Sequence, residues 1–354
     1  MKRREFVSKS TMSALALSAL PAITPNHLFA ASAKQKIGMD AHAVRAMKWK
    51  ATKLIDYAIS IDADSLLFNG LNYFESLDDK YLKKIKKRLD KNDIKFYFGI
   101  GGLSKGSTSF KGNKTDNLIL EGIRVAKIFD SSSVNCKIGS VKDRYTEGGI
   151  VQRMDEIINA LLSMRQQIQD AGLKFAIENH AGDLRAEEVL QIVQTVGTDI
   201  CGVMLDPGNS VWSMEDPMEH LQKLGKYALC SSLRDYRIWE SENGASFQWT
   251  AVGEGSMDYK KYVQRMSELC PQAPLNVESI SGRAIEIPFL TKDFWKGYPN
   301  LKALEMSDFL ARIRKGESIE AYTTPQGKDK TEFEQEQQKK ELIKSIKYLK
   351  QIIG

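Results

Sequence analysis

Eight times along this chain a short apolar run gives way to a polar corner and then to a longer stretch with helical spacing. The runs are "KIGMD" (36–40), "SLLFNG" (65–70), "IKFYFGIGG" (94–102), "VNCKIGS" (134–140), "KFAIENH" (174–180), "CGVMLDPGN" (201–209), "ALCSSLRD" (228–235) and "PLNVES" (274–279). Between them lie amphipathic segments. Ile157, Leu161, Met164 and Ile168 form one stripe at three- and four-residue steps, and Leu342, Ile346, Leu349 and Ile353 form another. Strands separated by helices return to the same end of a sheet and pair in parallel. Eight such units predict an α/β fold, a (β/α)8 TIM barrel. An open doubly wound sheet is the alternative, but no G-x-G-x-x-G follows the first run to support nucleotide binding.

The first 33 of the 354 residues read as an export signal: a basic start, the apolar "SALALSAL", and an Ala31-Ser32-Ala33 cleavage site. Arg3-Arg4 followed by Phe6 and Lys9 has the look of a twin-arginine signal. The expectation is therefore cleavage, export to the periplasm, and one barrel domain over 34–354 without stable membrane insertion. Four basic residues against one acidic give the leader +3 of the total +6. The remaining excess is small and no basic cluster is interleaved with aromatics, so nucleic acid is excluded as a partner. Homo-oligomerisation is left open. Cys136, Cys201, Cys230 and Cys270 form no C-x-x-C pair, which removes support for a zinc cluster. Gly101, Gly102 and His220 carry no functional signal.

Barrel chemistry sits at the C-terminal ends of strands. Those ends carry Glu178 on strand five, Asp206 on strand six, Asp235 on strand seven and Glu278 on strand eight. Carboxylates converging on one mouth repel unless a cation joins them. Oxygen ligands suit Mg²⁺ or Mn²⁺, and a histidine widens the choice to Co²⁺ or Zn²⁺.

"FAIENH", "GVMLDPGN", "SSLRDY", "VGEGSMDYKKYV" and "LNVES", in this order, resemble the xylose isomerase-like superfamily of sugar isomerases and epimerases. The resemblance implies a divalent metal held by a glutamate, an aspartate, a histidine and a second glutamate on the last four strands. Glu178, Asp206 and Glu278 match three of these. The fourth departs: the family pattern H-x-K-D reads Ser232-Leu233-Arg234-Asp235 here. Gln248, with a carbonyl oxygen, and His180, which shares a strand face with Glu178, are candidate replacements. For His180 a substrate hydrogen bond is an equal reading. His42, Asn69, Lys137, Arg144 and Asp235 are further candidates for binding sugar hydroxyls.

The resemblance also implies that Glu178 and Glu278 act as base and acid on opposite faces of a sugar, with an enediolate between them. Proton return makes an isomerase or epimerase. Expulsion of a group makes a keto-sugar lyase or dehydratase, as would suit a 3-keto-glycoside. A barrel that binds carbohydrate without turning it over is the third reading, favoured by the missing histidine. Export points to an unphosphorylated small carbohydrate as substrate.

A long connection, about 282–333, follows strand eight and holds Phe289, Phe294, Trp295 and Tyr298. A βα connection usually has about 2–6 residues. Two readings compete: a hydrophobic clamp, or a lid in which Trp295 stacks on the sugar.

Overall fold

The computed structural model describes residues 35–110 and 114–354. The export signal expected over 1–33 lies outside the described residues. The strands are β1 (Ile37–Asp40), β2 (Ser65–Phe68), β3 (Lys95–Gly102), β4 (Ser133–Lys137), β5 (Lys174–Glu178) and β6 (Cys201–Leu205). They continue with β7 (Ala228–Leu233), β8 (Asp235–Ser241), β9 (Gly244–Thr250), β10 (Leu275–Val277) and β11 (Ile285–Ile287). β1 to β7 and β10 close into a parallel barrel, with Ile37 of β1 opposite Leu275 of β10. All eight expected barrel strands are present.

Strand alternation decides what each residue faces. Phe175 and Ile177 of β5, Val203 and Leu205 of β6, and Leu275 and Val277 of β10 point outward into the main core, among helix residues such as Leu54 and Val189. Ala176, Met204 and Cys230, one position out of step, join Leu67 in filling the barrel interior. The helix Lys330–Ile352 buries Leu342, Ile346 and Leu349, as its stripe predicts. The other predicted stripe falls on two helices, Gly149–Ser163 and Arg165–Asp170, which meet at Met164.

The sheet β11-β9-β8 stands apart from the barrel and was not anticipated. β8 and β9 form an antiparallel hairpin, Ser241 opposite Gly244, around Glu242 and Asn243. Gly244 has φ +150, and a Cβ there would stand 2.4 Å from the Ile287 carbonyl oxygen. The connection after β10 supplies β11 and a helix, Ala303–Ile313, so it is not an open loop. Phe289, Phe294, Tyr298 and Phe309 from it pack with Phe247 and Trp249 of β9 into a second core. Trp295 lies at the edge of that core, edge-on to Phe294, with its indole N–H donating to the Phe289 carbonyl at 2.8 Å. This packing supports the clamp reading.

All four cysteines are buried and free. Among the described residues no helix is long and apolar enough to cross a membrane.

Candidate active site

The inward parity that places Ala176, Met204 and Cys230 inside the barrel, extended by two or four residues, reaches Glu178, Asp206, and then Ser232 and Arg234. By the same count Gly38 leads to Asp40, Leu67 to Asn69, Asn135 to Lys137 and Asn276 to Glu278. The mouth is therefore a ring of charge raised on a floor where Leu67, Ala176, Met204 and Cys230 stand beside the buried amides of Asn135 and Asn276. Glu178, Asp206 and Glu278 are buried there, with carboxylate oxygens within 4.8 Å of one another.

A cation already joins two of them. Arg234 Nη2 donates to Glu278 Oε2 at 2.5 Å and forms an ion pair with Asp206 Oδ2 at 2.7 Å. Its guanidinium carbon lies 5.0 Å from the centroid of the Trp249 ring. Ser232 Oγ donates to Glu278 Oε2 at 2.7 Å and stands 3.0 Å from Asp40 Oδ2. A hydroxyl has one proton, so the second contact is satisfied when Asp40 is protonated and donates. Asn69 Nδ2 also donates to Asp40 Oδ2, at 2.5 Å. Asp40 and Arg234 were the two site residues that sequence reasoning passed over.

"ENH" divides three tasks. Glu178 faces the mouth, and among the described residues nothing donates to its carboxylate. Asn179 locks the next strand: its Nδ2 donates to the Asp206 carbonyl at 2.8 Å, and its Oδ1 accepts from the Asp206 N–H at 3.1 Å. His180 Nδ1 lies 2.5 Å from the Gly139 carbonyl, which can only accept, so Nε2 carries the lone pair that receives Lys137 Nζ at 2.8 Å. His180 therefore positions Lys137 and is not part of the carboxylate group.

Burial and charge push these groups apart. Burial raises Glu178 well above the usual carboxylate range; Lys137 opposes that rise, while Glu278 and Asp206 add to it. Burial acts on Glu278 in the same direction, but Arg234, His42 and the Ser232 hydroxyl outweigh it and hold this carboxyl at about 2. Burial, then Glu278, raise Asp40. His42 stays neutral, lowered to about 4 chiefly by burial.

The donor set can be tested against the expected divalent ion. Three carboxylates suit a hard cation. However, Arg234 Nη2 lies between Asp206 and Glu278, and Asp206 Oδ2 also accepts from Asn209 Nδ2 at 2.7 Å. A hydroxyl that is already engaged stands where an imidazole was expected. As arranged, these residues do not fit a divalent ion.

Other expected site residues are used elsewhere. The Asp235 carboxylate accepts from the N–H groups of Tyr236, Gly253, Gly255 and Met257, stapling the hairpin to the loop after it. Arg144 donates to Glu188, to the Gly182 carbonyl at 3.2 Å and to the Gly297 carbonyl at 3.0 Å. Gln248 Nε2 donates to the Glu320 carbonyl at 3.0 Å. Asp235 and Arg144 are saturated by partners from distant segments, whereas Gln248 Oε1 is buried with no hydrogen-bond partner among the described residues.

A family model described as a xylose isomerase-like TIM barrel matches residues 58–289. The uncharacterized protein YihM of Escherichia coli (strain K12) is 24% identical over 173 residues, 46% of this chain and 52% of that protein. The 3-oxo-isoapionate decarboxylase of Pectobacterium atrosepticum is 21% identical over 187 residues, 52% of this chain and 61% of that one. The match thus spans 52% and 61% of the length of these curated relatives. The structure of D-psicose 3-epimerase with D-tagatose from Clostridium cellulolyticum H10 has a TM-score of 0.56 at 12% identity, covering 90% of this chain and 99% of that one. With its fold, its strand-end carboxylates and two thirds of its length matched by one family model, the chain belongs to the xylose isomerase-like TIM barrel family.

Proposed function

We propose that this chain is an enzyme that removes a proton from the carbon beside a carbonyl in an unphosphorylated sugar or sugar derivative, with an isomerase or epimerase outcome. The observation that carries the reading is the Glu178 carboxylate, buried, free of hydrogen bonds among the described residues, and adjacent to a fixed guanidinium. A carboxyl pushed above its usual range is a stronger base when ionised than an ordinary one. Glu278, held low by Arg234, remains an anion and anchors that arginine. The expected sharing of acid and base work between two glutamates thus becomes unequal, because their environments differ.

In this reading Glu178 takes the C–H proton, the C–H pair forms the C=C bond and the carbonyl π pair moves onto oxygen. Glu178 then returns the proton on its own face to the neighbouring carbon for an isomerase outcome, whereas an epimerase outcome takes its proton from solvent on the opposite face. Lys137, oriented by His180, stands on the Glu178 side to bind a substrate oxygen. The 3-epimerase of similar fold supports a carbohydrate substrate, and the twin-arginine-type leader supports a periplasmic, unphosphorylated one. A second reading follows from the decarboxylase relative. The same enediolate, formed by loss of a group instead of a proton, would make the chain a keto-sugar lyase.

Free ketohexoses such as D-tagatose, and 3-keto-glycosides, incubated in deuterated water with the protein, test both readings. Deuterium beside the carbonyl of recovered sugar, absent with Glu178→Gln, supports proton return. A shorter product supports the lyase. Binding without either change would sink the enzymatic reading.

A further inference from the structure

We propose that the Arg234 guanidinium is the resident cation of this mouth, standing where a divalent ion would otherwise gather the carboxylates and donating from Nη1 to the substrate oxyanion. The proposal rests on the proton-transfer reading above and names its electrophile.

Four observations carry it. Nη2 bridges Asp206 and Glu278, so the arginine is fixed by two buried carboxylates rather than resting on one. The space it occupies is built for it. A Cβ on Gly208 would stand 2.1 Å from Arg234 Cγ and 2.8 Å from the Trp249 ring, so only glycine lets helix Pro207–Trp212 pass so close. The backbone is held as well, since Tyr259 Oη donates to the Arg234 carbonyl at 2.9 Å.

The fourth observation is what remains unused. Arg234 Nε is buried and has no partner among the described residues, an orphaned donor in a protein that satisfies most of its buried groups. Nη1 also has no partner among the described residues, and it is not sealed off as Nε is. A guanidinium presents five donors, and here only those of Nη2 are taken. Ser232 completes the exchange: a hydroxyl leaves room for the arginine and donates to Glu278, whereas an imidazole would offer a lone pair to an ion.

The step balances without a co-reactant. Glu178 accepts the proton from carbon, the C–H electrons form the C=C bond of the enediolate, and the carbonyl π pair moves onto oxygen. That oxygen receives an N–H from Nη1. Reprotonation reverses the flow. Donors set in advance where charge develops supply much of an enzyme's rate.

The test begins with the wild-type chain and bare ions, so it needs neither a variant nor a known substrate. Chelator-treated protein is dialysed against micromolar Mn²⁺, Co²⁺ or Zn²⁺, and bound ion is counted by elemental analysis. The expected result is no stoichiometric uptake, with Arg234→Ala in combination with Ser232→His gaining roughly 10–100-fold in affinity. One ion held per wild-type chain, and lost in Glu278→Gln, would overturn the proposal while leaving proton transfer by Glu178 standing. Deuterium exchange judges the second half. Arg234→Lys keeps the charge but not the fork, and it should slow exchange by roughly 10²–10³-fold. Exchange at the wild-type rate in that variant would also overturn the proposal. Absence of exchange in every form would instead strike the functional reading beneath it, so the two failures are told apart.

Discussion

Two buried arginines lie over aromatic rings in this molecule, and they are used in opposite ways. Arg144 sits 4.3 Å from the Tyr298 ring centroid and joins the barrel to the connection that follows β10. Each of its nitrogens has a partner: Nε the Gly182 carbonyl, Nη1 both Glu188 and Gly297, Nη2 Glu188 again. Arg234 sits over Trp249 with one nitrogen paired twice and two unpaired among the described residues. A saturated guanidinium closes a structure, while one with spare donors can still act on something else. Burial and charge are alike in the two cases, and only the count of hydrogen bonds separates them.

Removing either side chain should separate stability from turnover. Arg144→Ala leaves Glu188 without its cation and two carbonyls without donors, and should cost about 3 kcal/mol of stability. The fraction that folds should exchange deuterium at the wild-type rate; denaturant titration with exchange on the same samples reads both. A loss of exchange in folded Arg144→Ala would place it in the chemistry and break the comparison. A smaller effect is expected at Trp295, on the same side of the molecule. Trp295→Ala should cost about 2 kcal/mol by opening the edge of the second core, with KM unchanged. A large rise in KM at unchanged stability would restore the lid.

The smallest effect concerns a buried group with no assigned task. His220, in helix Pro217–Leu224, is fully buried with neither ring nitrogen hydrogen-bonded among the described residues, and burial lowers it to about 3. The unfolded imidazole takes a proton below about pH 6.5, and the folded one stays neutral. Stability is therefore lost as pH falls from there, by up to about 1.4 kcal/mol per pH unit. His220→Leu lacks this loss. Its advantage in Tm over wild type should widen between about pH 7 and about pH 5, and a constant difference would contradict the assignment.

What could be read beforehand followed local rules. Alternation of apolar and polar residues placed Glu178, Asp206 and Glu278 at one mouth because strand parity is local. The same parity places Asp40, which ends "KIGMD" as Asp206 follows the apolar residues of β6. The hairpin also had a local sign, Asn243-Gly244 between alternating runs. The contacts of Asp235, Arg144 and Gln248 were not legible for the opposite reason. Their partners, Gly253, Gly297 and Glu320 among them, are brought in by the fold. Arg234 lies between: its face was predictable from Cys230 and Ser232, but its reach to two carboxylates depends on Gly208 and Trp249.

The most direct measurement is deuterium exchange in the presence of chelator. Protein stripped of divalent ions is given a keto-sugar that it turns over in deuterated water, and isotope in the recovered sugar is followed by NMR. Exchange is expected to persist at full rate without added metal and to disappear in Glu178→Gln. Exchange that vanishes under chelator and returns only with Mn²⁺ or another divalent ion would contradict that expectation.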